Sequence, residues 1–256
     1  MTTNVQVFDE LAGVYDTVLP FFVELGRQIV GVVRPVPGTR LLDLGAGRGA
    51  VTGPAPTRGA RVTAVDGAPS MVARPATDHP GAHALLMDAH HLALPNSSFD
   101  VVVAAIVLTL VEDPAVVADE VRRVLAPGGL AAVAIPGGHE HTVLAEPDPV
   151  PALYGEFARY LPPDGGTGTP LNVADLLSGA GFVDVTSTDI EVCLEVPDGR
   201  TYWDWPLTHG SPAFADNLPA DRRVQFHDRL PAVLSSQRII TVQRTAIVWT
   251  ARRPHS

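Results

Sequence analysis

The stretch from Arg40 to Ala50, RLLDLGAGRGA, constrains this chain more than any other. Leu41 and Leu42 close a short apolar strand, Asp43 sits at its end, and Gly45, Ala46, Gly47, Arg48 and Gly49 make a tight loop. Glycine lets backbone approach a ligand where a β-carbon would clash. A glycine-rich loop that follows a strand and opens toward a helix reads as the nucleotide-binding turn of an open α/β sheet.

Two ligand classes compete at this loop. Gly45, Gly47 and Ala50 satisfy G-x-G-x-x-G/A, the fingerprint of a turn holding the pyrophosphate of NAD or FAD. Asp43 argues the other way, because a carboxylate there repels pyrophosphate and attracts an ammonium group. A second strand, RVTAVD, ends in Asp66, roughly twenty residues on, where an acid can bind ribose hydroxyls in either case. A third segment, ALLMDAHHL, places Asp88 where a carboxylate can accept a hydrogen bond from an exocyclic amine. Three acids at successive strand ends suit a ligand built from an amino acid, a ribose and an adenine.

These residues resemble the class I S-adenosylmethionine-dependent methyltransferases, in the small-molecule branch of methyltransferase domain 11/25-like families. The similarity continues through LPNSSFDVVVAAIVLTLVEDP and VADEVRRVLAPGGLAAVAIP and covers about residues 8–136. It implies an α/β, Rossmann-like seven-stranded sheet of order 3-2-1-4-5-7-6, the last strand antiparallel, with helices on both faces and a helical cap. It also implies S-adenosyl-L-methionine as cofactor: Asp43 with Gly45, Ala46, Gly47 and Gly49 at the methionine end, Asp66 at the ribose, and Asp88 with Ala89 at the adenine. Gly67, Met71, His90, Ala105 and Tyr15 complete the cofactor set implied in this way.

At 256 residues the chain has the length of a single domain, 1–256, with a sizeable core. Its 46% hydrophobic and 18% charged residues are those of a globular protein. A net charge of −10 and a pI near 5.2 leave no electrostatic footprint for a polyanion, so nucleic acid is not an expected partner. All the basic residues other than histidine are arginines. The longest apolar stretch, Val101 to Val111, is too short for a bilayer, and MTTNVQVFDE has no secretory pattern, so a cytoplasmic location without a membrane partner is expected. A monomer or homodimer is equally compatible. Cys193, the single cysteine, is expected to be a buried strand residue.

Residues 1–36 read as an N-terminal helical segment, with apolar spacing over 5–33 that Pro35 and Pro37 terminate. In the resembling family this segment folds over the cofactor, so Tyr15 is either a cofactor or active-site contact or packing between helix and sheet. After the loop, Gly53, Pro54 and Pro56 predict a short, kinked or irregular segment where the family has a helix, since proline costs about 3 kcal/mol in a helix interior. Pro75 raises the same doubt over the next helix. FDVVVAAIV predicts a central strand covered on both faces. Asp113–Pro114 predicts a capped helix start, with Asp119 and Arg123 facing solvent one turn on. LAAVAIP predicts the fifth strand, after which the core is interrupted. A helix is expected over 152–160 and another over 171–180, a strand over 183–195, a helix over 219–236 and a last strand over 238–251. Residues 137–170 and 196–238 are insertions expected to form an acceptor cap.

Methyl transfer from a sulfonium needs a nucleophile about 3 Å from the methyl carbon and in line with the breaking bond, and positioning supplies much of the rate. A phenol or carboxylate acceptor needs little acid–base help, whereas an aliphatic alcohol or protonated amine needs a base. Candidate catalytic residues are His139, His141, His209 and Tyr15; an exposed polar role is the alternative for each histidine. Tyr202, Trp203, Trp205 and Phe214 are a candidate apolar lid or cap-to-core packing. No Cys/His set has metal-ligand spacing. The function expected is methylation of a small-molecule acceptor at oxygen or nitrogen, in specialised metabolism. The alternatives are a non-catalytic binder of S-adenosylmethionine or S-adenosylhomocysteine and an NAD-dependent oxidoreductase, for which Tyr-x-x-x-Lys is absent.

Overall fold

The computed structural model of the chain describes residues 4–144, 150–161, 171–198, 201, 204–205, 208, 217–235 and 240–255. Its strands are β1 (Arg40–Leu44), β2 (Arg61–Asp66), β3 (His83–Leu86), β4 (Phe99–Ala105), β5 (Leu125–Leu144), β6 (Val183–Val196) and β7 (Ile240–Arg252). They form one sheet of order β3-β2-β1-β4-β5-β7-β6. The first five pair in parallel, and β7 runs antiparallel to both β5 and β6. This is the order that the resemblance implies. The helices are α1 (Asn4–Leu11), α2 (Phe21–Val33), α3 (Pro69–Asp78), α4 (Pro114–Val124), α5 (Val150–Ala158), α6 (Val173–Gly179) and α7 (Ala220–Ser235).

Alternation along the central strands separates two cores. Leu42, Val102 and Val133 face one side, with Val117, Val121 and Val124 of α4 and Leu177 of α6. Leu41, Val101, Val103 and Ala132 face the other, with Leu25, Ile29, Val30 and Val33 of α2. Each such buried aliphatic side chain contributes roughly 1.5–3 kcal/mol. A third cluster joins Leu153 and Phe157 of α5, Phe226 and Leu230 of α7, Val196, Val242, Leu19 and Trp205. An ion pair of Arg229 with Glu156 at 2.6 Å ties α7 to α5.

Helix ends follow from local chemistry. The Asp16 carboxylate accepts from the amides of Phe22 (3.1 Å) and Val23 (3.2 Å), satisfying the first turn of α2. Asp113 accepts from Ala115 and Val116, as the expected cap of α4. At the other end of α4, the Arg253 guanidinium donates to the carbonyls of Arg122, Arg123 and Leu125.

After the glycine loop the chain makes turns and a 3-10 segment, Ala55–Arg58, ending at Gly59 (φ 79°) in place of a regular helix, as the prolines predict. Other expectations need correction. α3 persists through the buried Pro75, which lies in its last turn and so removes one amide bond near an end. Arg123 is partly buried and pairs with Glu120 at 2.7 Å instead of facing solvent beside Asp119. It also donates to the carbonyls of Leu92 and Leu94. Cys193 is exposed, because Val192 and Val196 take the inward positions of edge strand β6. β5 does not stop at Pro136: it passes an irregularity between Pro136 and Glu140 and pairs with β7 as far as Leu144. The parallel partner β4 is left behind at Ala134, so only β7 is needed to continue the strand. α6 begins at Val173, two residues later than expected, because Asn172 caps it by accepting from Asp175 N.

α2 approaches the glycine loop closely enough that a β-carbon on Gly26 would lie 1.9 Å from the Ala50 carbonyl oxygen, whereas one on Gly31 would meet nothing within 4 Å. Gly26→Ala is therefore expected to destabilise by about 1–3 kcal/mol through overpacking. Gly31→Ala in the same helix should stabilise by about 0.5–1 kcal/mol. Urea unfolding of both variants checks the contrast in sign.

Candidate functional site

The carboxyl ends of β1 to β4 and inner stretches of β5 and β7 border one cavity of about 1160 Å³. Single drug-sized ligands occupy pockets of about 300–1,000 Å³, so the space exceeds what one such ligand requires. Strand order sets out its lining. Asp88 and Ala89 follow β3, Asp66 and Gly67 close β2, Gly45 and Gly47 follow β1, and Ala105 to Val107 close β4. Pro136 and Gly137 of β5 and Arg244 to Ala246 of β7 line the far end. Asn4, Phe8 and Tyr15 bring the N-terminal segment over the cavity. That segment is tied down by the Asn4 side chain donating to Leu110 O (2.6 Å) and by Asp9 accepting from Ser70 N at the start of α3 (2.6 Å).

The glycine loop is built for close approach. Gly45, Gly47 and Gly49 all have positive φ (68°, 53° and 92°), a region that other residues rarely adopt. A β-carbon on Gly45 would strike Val107, but one on Gly47 would meet nothing within 4 Å, so Gly47 exposes bare backbone to open space. The amides of Gly45 (2.7 Å) and Ala46 (3.0 Å) donate to Val65 O, fixing the loop against β2.

The three aspartates are placed differently. Asp43 is 1% exposed and accepts, at one carboxylate oxygen, from both Thr52 N (2.9 Å) and Thr52 Oγ1 (2.7 Å). Burial pushes its carboxyl up to about 6, against the lowering effect of the Thr52 bonds. It borders a smaller adjoining pocket of about 490 Å³, with Ala46 and Gly49, and not the main cavity. Asp66 lines the main cavity and accepts from Gly47 N (2.9 Å) and Ala68 N (2.9 Å); burial raises its pKa. Asp88 is exposed, and its carboxyl lies below the usual range because the amide and ring of His90 bond to it (2.9 and 2.7 Å). The other ring nitrogen of His90 accepts from Asp113 N at 3.4 Å. Met71 is buried against Ala12 and Ala68 and lines the cavity wall.

Tyr15 stacks on Phe22 (centroids 4.9 Å apart) and meets Phe8 edge-on, and burial, then Asp16 and Asp66, raise its pKa. A phenol in such surroundings keeps its proton, and Tyr15 lines the cavity wall. His139 and His141 lie on the extension of β5, not in a loop past it; their side chains are outside the described residues. His209, Tyr202, Trp203 and Phe214 are also outside the described residues. Trp205 is described: it is 3% exposed and lies against Phe21, with the Arg244 guanidinium 5.4 Å from its ring centre. Among the described residues no group of His, Cys, Asp and Glu could hold a metal ion.

Arg244 lies outside the set of residues that the sequence singles out. Its signal lies in the alternation of β7, where Val242, Ala246 and Val248 are buried and position 244 shares their parity. A charge on the inward side of a strand is the unusual observation, not the exposed ones around it.

The sequence profile of a family described as "Methyltransferase domain" matches residues 42–133. The chain is similar to nocamycin O-methyltransferase of Saccharothrix syringae, 33% identical over 240 residues, covering 85% of each chain. It is also similar to malonyl-[acyl-carrier protein] O-methyltransferase of Serratia marcescens, 32% identical over 123 residues, about half of either chain (48% of each). In fold it resembles phosphoethanolamine N-methyltransferase 2 of Haemonchus contortus, solved with S-adenosylhomocysteine (TM-score 0.52, 16% identity, covering 89% of this chain and 52% of that one).

The buried Asp43 generates a pH prediction. Its folded pKa of about 6 lies above the ordinary 3.8, so the native state holds the extra proton. That contribution is full below the unfolded pKa and is lost as pH rises through the folded one. Stability should thus decline between pH 4 and 6 by about 3 kcal/mol relative to Asp43→Asn, whose amide oxygen can keep both Thr52 bonds. Urea unfolding of both proteins across that window checks it; parallel curves would mean that Asp43 does not titrate there.

Proposed function

The chain belongs to the class I S-adenosylmethionine-dependent methyltransferases, and from that membership we propose that it methylates an oxygen or nitrogen of a small molecule of specialised metabolism. The observation that carries this reading is the continuous cavity running along the sheet from the acid-lined ends of β2 and β3 to an aromatic and arginine-lined end at β5 and β7. Its volume exceeds the needs of one ligand and leaves room for an acceptor beside a cofactor. The name of the Saccharothrix syringae relative favours oxygen as the methylated atom.

The residues at the acid-lined end fit the cofactor. Gly47 offers open backbone, Asp66 is held in place by two amide donors, and Asp88 is kept ionised by His90. In this reading Gly45 and Gly47 hold the methionine end, Asp66 with Gly67 the ribose, and Asp88 with Ala89 and His90 the adenine, while Met71 and Ala105 wall the pocket. Asp43 acts through Thr52, fixing the loop from behind. When bound, S-adenosylmethionine supplies an electrophilic methyl group; the chain supplies alignment, exclusion of water by α1 and the aromatic walls, and a fixed acceptor pose. The 137–170 and 196–238 segments, joined through the third core cluster, form the acceptor side in this proposal.

Isothermal titration with S-adenosylmethionine, S-adenosylhomocysteine and NAD tests the reading. Binding of the first two without NAD is expected, and Asp66→Ala should weaken S-adenosylmethionine by at least about tenfold while unfolding cooperatively. NAD binding alone would overturn the cofactor assignment, and an unchanged Asp66→Ala affinity would overturn the ribose role.

A further inference from the structure

One side of the main cavity is a row of aromatic rings. Phe8, Tyr15, Phe22, Phe21 and Trp205 follow one another with centroids 6.1, 4.9, 5.1 and 5.3 Å apart, and each of them lines the cavity. These spacings lie in the range where aromatic rings attract one another through their quadrupoles. Aromatic residues make up only 6% of the chain, so composition alone does not account for the row. Its middle is set by the start of α2. Phe21 and Phe22 are the first residues of that helix, and neighbouring helical positions point about 100° apart, so the two rings meet edge to face instead of stacking.

The two ends of the row have different surroundings. Phe8 and Tyr15 pack against Ala68 and Met71, next to Asp66. Phe21 and Trp205 pack with Leu153 and Phe157 of α5 and with Phe226 of α7, on the side of the cap. Phe8, Tyr15, Phe21 and Phe22 are only half-buried, so they keep ring surface toward the cavity. From the sheet, Ala105, Ile106, Val107, Pro136 and Ala246 add apolar lining. Ile106 holds φ 58°, an outlying conformation for a β-branched residue, and backbone strain of this kind gathers at binding sites.

We propose that the acceptor is a fused-ring aromatic molecule lying along Phe21 and Phe22, with Phe21 the residue that selects it. This rests on the methyltransferase reading and adds a substrate class to it. A rigid ring system has little conformational freedom to lose on binding. Its edge and face contacts with Phe21 and Phe22 add to what apolar burial supplies, whereas a saturated molecule of the same skeleton gains the burial alone. The row of rings, their half-burial and the apolar lining from the sheet then have one explanation.

The test titrates 2-naphthol and decahydro-2-naphthol, one carbon skeleton in planar and saturated form, into the protein saturated with S-adenosylhomocysteine. The planar form is expected to bind at least about fivefold more tightly. In Phe21→Leu, which keeps an apolar side chain, that preference should fall below about twofold. Equal binding of the two forms, or binding of neither, would overturn the proposal, as would a planar preference that survives in Phe21→Leu. A variant that loses affinity for S-adenosylhomocysteine to the same extent would place the Phe21 ring over the cofactor and overturn it as well. The parent comparison decides the matter even if the variant fails to fold. Failure of S-adenosylhomocysteine to bind the parent would instead sink the cofactor assignment, and the planar–saturated comparison on the unsaturated protein would still decide this one.

Discussion

The buried bond of Asp43 to Thr52 is what the rest of the site depends on. A carboxylate at the end of a central parallel strand, 1% exposed, must find donors or take up a proton. Thr52 supplies two, from its amide and its hydroxyl. Those bonds pin the chain just after the loop, where Gly53, Pro54 and Pro56 deny it the rigidity of a regular helix. Gly26 lets α2 press on Ala50 from the other side. Held at both points, Gly45, Gly47 and Gly49 keep their left-handed conformations and the loop stays open toward the cavity.

From that anchor the sheet arranges chemistry by strand order. Parallel strands β1 to β4 bring their carboxyl ends to one edge, which collects acids and bare backbone. β7 enters antiparallel, so an inner stretch, not an end, meets that edge. The two parts of the cavity are therefore built from different kinds of position: strand-end loops on one side, and inward side chains of a paired strand on the other. α1 covers the first through Asp9 and Asn4, while the packing of α5 and α7 supports Trp205 at the second.

Legibility followed the range of the interactions. The glycine loop, the acids at Asp43, Asp66 and Asp88, the cap of α4 and the interruption after the loop are local, and each could be read from a few adjacent residues. The length of β5 could not, because it depends on a partner strand about a hundred residues later, and Pro136 looked like a terminus. The exposure of Cys193 is not legible either, because alternation gives a period but not which face an edge strand buries. Arg244 was visible as a charge among alternating apolar residues, yet its meaning required knowing that its face of β7 looks into a cavity.

What the sequence determined by itself was the turn, the order of acids along the chain and the family, because each rests on residue types at short fixed spacings. What only the tertiary structure decided was their division of labour. Asp43 faces Thr52 rather than the main cavity, Tyr15 is buried enough to keep its proton, and Arg244 stands several strands from the aspartates. Those outcomes depend on desolvation and on distances across the sheet, both set by residues far apart in the chain.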